Sequence, residues 1–199
     1  MKRSSIGITG GIGSGKSFVC SCFERLGIPV FYTDREARME MIGNENIHAA
    51  LRQILHADIL RPDGSLDKAL LSAFISRGSD EAALVDSIVH PCVRQRFRLW
   101  RERLAARVAV MECALLFESG FDSEVSASVF VSAPLEVRIN RVMKRDGKSR
   151  NEVLQWMSLQ MDEDEKMNRA DYTVVNDGMR PVLPQVEHIL SVLAPLSDD

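Results

Sequence analysis

The sequence predicts an α/β fold: a parallel five-stranded sheet flanked by helices, with helical substrate-binding and lid subregions added to it. Three observations carry that reading. Short apolar runs alternate with stretches of helical period, a glycine-rich turn joins the first strand to the first helix, and no clear strand occurs between about Asp34 and Arg107.

The first strand is Ser5 to Thr9. After the glycine-rich turn, Phe18, Val19, Cys22, Phe23 and Leu26 recur at helical spacing, and Gly27 closes that helix with Pro29 just beyond. Val30 to Tyr32 makes the second strand. Helical stretches follow, one carrying Leu51, Ile54 and Leu55 and another Leu70, Leu71, Phe74 and Ile75, with the turn Arg61-Pro62-Asp63-Gly64 between them. Pro91 suits the first position of a long helix whose apolar stripe is Val93, Phe97, Trp100 and Leu104. Val108 to Met111 and Val129 to Val131 are apolar runs suited to strands covered on both faces, and Tyr172 to Val175 is a fifth strand. Pro134 opens a helix through Arg145, Ser149 and Glu152 are spaced as a capping box, and the last helix runs from about Pro181 to Leu193. With no repeat and no evident linker, residues 1–199 read as one domain, holding a helical insertion at about 35–106 and a lid at about 141–166.

At 199 residues and 45% hydrophobic, the chain can bury a real core. A formal net charge of −3 argues against a nucleic-acid partner held by bulk electrostatics, so any anion site is local. Met1-Lys2-Arg3 leads into Gly7, Thr9 and Gly10 rather than an apolar run, so it does not read as a secretory signal. Nothing approaches the ~18 apolar residues of a membrane span, and no membrane partner is expected. Cys20, Cys22, Cys92 and Cys113 form no C-x-x-C pair, and two apart on a helix the first two point to roughly opposite sides. They read as reduced core thiols of a cytoplasmic protein.

Residues 10 to 17 are Gly10-Gly11-Ile12-Gly13-Ser14-Gly15-Lys16-Ser17, which fits G-x-x-x-x-G-K-[ST]. Glycines allow the backbone N–H groups to converge on phosphate oxygens, and the helix that follows offers its positive N-terminus. Lys16 would reach the β and γ phosphates of ATP, and Ser17 would give its hydroxyl to Mg²⁺. Gly11, Ile12, Gly13, Ser14, Gly15, Lys16, Ser17 and Phe18 are therefore the expected nucleotide contacts. The strand before and the amphipathic helix after the loop separate it from a flexible Gly/Ser segment.

A kinase needs a carboxylate near the incoming hydroxyl. Asp34 follows the second strand at the carboxyl edge of the sheet, where it is either that general base or the N-cap of the helix containing Arg35 to Met41. Arg94, Arg96, Arg98, Arg101, Arg103 and Arg107 form a cluster that either grips an anion or is the wet face of a helix; Arg94, near His90, is the leading contact. Glu112 and Glu118 at the third strand's end are either holders of a metal-bound water or surface residues, and Glu118 is counted with Asp34, His90 and Arg94 on the acceptor side. Arg138, Arg141, Lys144, Arg145, Lys148 and Arg150 either fold over the triphosphate as a lid, with Arg141 and Arg145 foremost, or pair with Asp146, Glu152 and the acidic run Asp162 to Glu165 on a solvated surface.

The run Gly7-Ile8-Thr9 through Ser17, then Gly27-Ile28-Pro29-Val30 leading to Asp34 and Ala37-Arg38, resembles the dephospho-CoA kinase family. So do Val89-His90-Pro91, Leu115-Leu116-Phe117-Glu118, Arg141-x-x-x-Arg145-Asp146, Gln160, and Ala170-Asp171 leading to Asn176-Asp177-Gly178. The resemblance implies a P-loop kinase fold and transfer of the ATP γ-phosphate to the 3′-hydroxyl of dephospho-CoA, with Asp34 as base. It also implies that Arg141 lies near ATP and Asn176 beside the adenine. The chain departs from the pattern at Tyr32, where many members have the first Asp of Asp-x-Asp, and at Ala114, where proline is usual. Because Asp34 is retained, activity is expected to survive. The alternative is a P-loop kinase of a nucleoside monophosphate or another small alcohol; a regulatory GTPase lacks support, since no N-K-x-D motif stands near the fifth strand. A monomer or weak homo-oligomer is expected.

Overall fold

The computed structural model describes residues 4–193, so the basic start Met1-Lys2-Arg3 lies outside the described residues. The chain divides into two compact units, one drawn from Met1–Phe31 and Ala105–Asp199, the other from Tyr32–Leu104.

The first unit is built on the sheet. Its strands are β1 (Ser4–Thr9), β2 (Val30–Tyr32), β3 (Val108–Glu112), β4 (Ala127–Ser132) and β5 (Tyr172–Val175), in the order β2-β3-β1-β4-β5. β1 pairs in parallel with β3 (Ile6 opposite Val110) and with β4 (Ile8 opposite Val129), and β4 pairs in parallel with β5 (Phe130 opposite Thr173). All five residues of β3 are buried, as are Ser5 to Thr9, the pattern of strands covered by helices on both faces. Helix α1 (Lys16–Arg25) packs on β1, β3 and the last helix, α9 (Val182–Leu193). That double coverage is why Cys20 and Cys22 are both buried although they face different ways on α1. Burial, with Glu112 nearby, pushes the Cys20 thiol far above its ordinary pKa. Between β4 and β5 run α6 (Leu135–Asp146), α7 (Arg150–Met157) and α8 (Glu163–Arg169). Ile139, Val142 and Val153 form a fully buried cluster between α6 and α7, and Ile12 packs against it. Ser149 and Glu152 form the expected capping box of α7.

The second unit is helical: α2 (Thr33–Gly43), α3 (Glu45–Leu55), α4 (Lys68–Ile75) and α5 (Ser79–Arg103). Asn44 and Asp67 cap α3 and α4 by accepting the N–H groups two and three residues ahead. The turn at Arg61 to Gly64 is closed by a single bridge between Leu60 and Leu66.

One expectation is corrected here, and one alternative is removed. Pro91 does not open the long helix but stands inside α5, which begins at Ser79. Val85, Val89, Val93 and Phe97 are spaced four apart across the proline and all are buried, so packing outweighs the lost N–H and ring clash, a cost of ~3 kcal/mol. Asp34 is not the N-cap of α2: Tyr32 occupies that position, and Asp34 lies within the first turn. No described helix is long and apolar enough to cross a membrane.

Phe97 and Leu99 lie on opposite sides of α5, 2% and 43% exposed. Phe97→Ala is expected to lower unfolding free energy by ~3–5 kcal/mol. Leu99→Ala is expected to change it by less than about 0.5 kcal/mol. Urea unfolding of the two variants checks the packing; equal losses would contradict it.

Candidate active site

β1 ends at Thr9, and the loop that follows wraps the N-terminus of α1. Gly13 and Gly15 take φ of 80° and 93°, in the left-handed region. Crowding excludes side chains as well: a Cβ on Gly13 would stand 2.6 Å from the carbonyl oxygen of Arg138, and one on Gly15 would overlap the Asn176 amide. Gly15 is the N-cap of α1 and no side chain caps that helix, so the positive end of its dipole faces the loop. Ser17 and Phe18 are exposed there. Ser14 is fully buried, and its hydroxyl is one of two buried side-chain polar atoms without a hydrogen-bond partner among the described residues. Lys16 Nζ donates to the Gly10 carbonyl at 2.8 Å, folded back along the loop.

The outer side of the loop is braced by four side chains. Arg141 Nη1 donates to the carbonyls of Gly13 (3.4 Å) and Ser14 (3.2 Å), and its Nη2 donates to the Asn176 carbonyl at 3.0 Å. The Asn176 amide donates to the Ser14 carbonyl at 2.8 Å. Arg138 Nε donates to the Ile12 carbonyl at 3.0 Å, and Gln160 Oε1 accepts the Ile12 N–H at 2.9 Å. Arg145 is not brought to the loop: its side chain is two-thirds exposed and its guanidinium is held by Asp146 at 2.7–2.8 Å.

Glu118 faces an internal partner. Its carboxylate lies 2.5 Å from Nζ of Lys166, which is fully buried on α8 and also donates to the Ala114 carbonyl at 3.2 Å. Thr9 donates to the same carbonyl, so the segment after β3 is tied to both β1 and α8. Glu112 is buried at the end of β3, not on the surface.

The acceptor-side residues Asp34, His90 and Arg94 belong to the helical unit. Asp34 is exposed in the first turn of α2. His90 is half-buried with Nε2 3.3 Å from Asp86 Oδ1. Burial pushes the His90 pKa below its ordinary value; the Asp86 charge opposes that, Arg94 one turn along α5 adds to it, and Asp34 opposes it. The arginine cluster divides: Arg96 binds Glu36 and Glu40 at 2.9 Å each, and Arg101 is buried, so the cluster is not simply a wet face.

The sequence named Arg138 only as one of a basic run led by Arg141 and Arg145, and Glu163 only within the acidic run Asp162 to Glu165; Lys166 it did not name. Arg138 directly precedes Ile139 on the apolar side of α6, and that position is the one signal that could have marked it as a buried base.

The parallel sheet, the loop between β1 and α1 and its lysine define a P-loop kinase. A family model described as dephospho-CoA kinase matches residues 4–181. The dephospho-CoA kinase of Bacteroides fragilis is 38% identical over 189 residues, 94% of this chain and 92% of that one. The crystal structure of TT1252 from Thermus thermophilus superposes with a TM-score of 0.82 at 34% identity, covering 99% of this chain and 100% of that chain. A Campylobacter jejuni dephospho-CoA kinase shares the fold, with a TM-score of 0.64 at 22% identity over 95% and 96% of the two chains. The chain belongs to the dephospho-CoA kinase family.

Removing the Glu118 charge leaves a fully buried ammonium without its counter-ion, so Glu118→Gln is expected to lower stability by about 1–3 kcal/mol, read as a drop in Tm. An unchanged Tm would return Glu118 to a surface role. His90 binds its proton less readily in the fold than in the unfolded chain, so the unfolded state gains more protons as pH falls through 6.5 and stability falls with it. Urea unfolding between about pH 7.5 and 6 should show that slope, and His90→Gln should flatten it.

Proposed function

We propose that this chain transfers the γ-phosphate of ATP to the 3′-hydroxyl of dephospho-CoA, giving coenzyme A and ADP, the last step of coenzyme A biosynthesis. The observation that carries the reading is the braced loop on an uncapped α1 N-terminus, in a chain that matches one kinase family over residues 4–181. Phosphoryl transfer is chiefly positioning and charge stabilisation, and the residues divide accordingly. The loop N–H groups and the start of α1 hold the phosphates, and Lys16 moves from the Gly10 carbonyl to the β and γ oxygens. Asp34 orients the attacking hydroxyl and takes its proton as the bond to phosphorus forms. His90 and Arg94 bind the anionic acceptor. Arg141 keeps the loop in shape and adds positive charge beside it. Asn176 and the segment after β5 shape the adenine end.

Among the described residues no group of three or more His, Cys, Asp or Glu could hold a metal ion. Mg²⁺ keeps waters and phosphate oxygens as most of its ligands, and the exposed Ser17 hydroxyl would be its protein ligand. When bound, Mg²⁺ would offset the negative charge of the phosphates. We place the protein in the cytoplasm as a monomer or weak homo-oligomer; its four free cysteines accord with a reducing compartment.

The test is ADP release from purified protein with Mg·ATP and dephospho-CoA, AMP, shikimate or no acceptor, with coenzyme A confirmed by mass. Turnover with dephospho-CoA alone is expected; turnover only with another acceptor would discard the substrate. Lys16→Ala should abolish transfer. Asp34→Asn should lower kcat by about 10²–10⁴-fold with ATP affinity little changed, and full turnover would remove Asp34 as the base.

A further inference from the structure

Arg138 is 3% exposed, yet it carries a charge that few interiors accept without a partner. One guanidinium serves two targets. Nε donates to the Ile12 carbonyl at 3.0 Å, and Nη1 forms an ion pair with Glu163 Oε2 on α8. The pair lies directly on the loop: a Cβ on Gly11 would overlap the Glu163 carboxylate and stand 2.8 Å from Arg138 Nη2. Glu163 Oε1 is buried and without a hydrogen-bond partner among the described residues, a cost that a merely decorative surface pair would not carry. Ile12 is gripped a second time by Gln160 at its N–H, and its side chain packs on the α6–α7 cluster. The crest of the loop is thus fixed at both polar groups of one residue, one of them by a charged fork.

We infer that Arg138 is a positioning residue for nucleotide binding, anchored by Glu163, which fixes the Ile12 carbonyl outward so that the neighbouring N–H groups stay turned toward the phosphates. The inference rests on the loop being the ATP phosphate cradle, as proposed above. The planar fork explains why this position holds arginine: Nε and Nη1 aim at two acceptors in fixed directions from one rigid group, whereas an ammonium's donors rotate about a single point. It also separates Arg138 from Arg145, whose guanidinium is spent on its exposed neighbour Asp146.

The test is calorimetric affinity for a non-hydrolysable ATP analogue with Mg²⁺, beside Tm and the KM for dephospho-CoA, in Arg138→Gln, Arg138→Lys, Glu163→Gln and the Arg138→Gln/Glu163→Gln double variant. Arg138→Gln should weaken the analogue about tenfold and Glu163→Gln about threefold, with Arg138→Lys restoring only part. The double variant should be no weaker than Arg138→Gln alone, because Glu163 acts only through Arg138. The KM for dephospho-CoA should stay within about twofold. Analogue affinity within twofold of the parent in a folded Arg138→Gln, or additive losses in the double variant, overturns the inference. So does tighter binding in Glu163→Gln, which would mean that Glu163 masks an arginine meant for phosphate. If Arg138→Gln does not fold, Glu163→Gln and Arg138→Lys decide the matter, and parental affinity in both overturns it. Analogue binding needs no acceptor, so dephospho-CoA could fail as substrate with this result unaffected.

Discussion

A loop that aims its N–H groups inward at an anion must turn its carbonyls outward, and buried carbonyls need donors. Residues 10 to 14 obey that constraint one by one. Gly10 accepts from Lys16, Gly11 from the Ser14 N–H, Ile12 from Arg138, Gly13 from Arg141, and Ser14 from both Arg141 and Asn176. The donors come from α1, the loop itself, α6 and the end of β5, so the cradle is only as well formed as the packing of those elements around the sheet. Lys16 differs from the other donors in that, under the proposed function, it would reach the phosphates only by leaving the Gly10 carbonyl.

The same economy governs α8, the shortest of the described α-helices. Its acidic run Asp162 to Glu165 has three separable roles. Asp162 caps the helix by accepting from Asp164 and Glu165, the first-turn carboxylates sit where the helix field favours negative charge, and Glu163 anchors Arg138. Three residues on from Glu163, Lys166 faces the interior and holds Glu118 and Ala114. One short helix thereby ties the loop after β1 and the segment after β3 through ion pairs of opposite polarity.

The strands, the loop and the α7 capping box were legible in the sequence because each depends on local periodicity or spacing. What was not legible shares a different cause. Periodicity tells which face of α6 is apolar, but whether Arg138 or Arg145 reaches the loop depends on contacts more than 120 residues away, such as that between Arg138 and Ile12. Lys166 carried no signal because α8 lacks an apolar stripe and buries a lysine where a hydrophobic residue would be expected. Pro91 misled for the complementary reason: a local rule about helix starts yielded to four apolar contacts that continue across it.

The two departures from the family pattern differ in consequence, and the backbone explains why. At residue 114 the working group is the carbonyl oxygen, which accepts from Thr9 and Lys166; an alanine supplies that oxygen as well as a proline does. At residue 32 the side chain matters. Tyr32 stands at the N-cap of α2 in an extended conformation, where an aspartate would accept the N–H groups of the first turn, and no side chain caps this helix. Without a cap from residue 32, the negative charge at the start of α2 comes from Asp34 and Glu36, both within its first turn, where the helix field favours it.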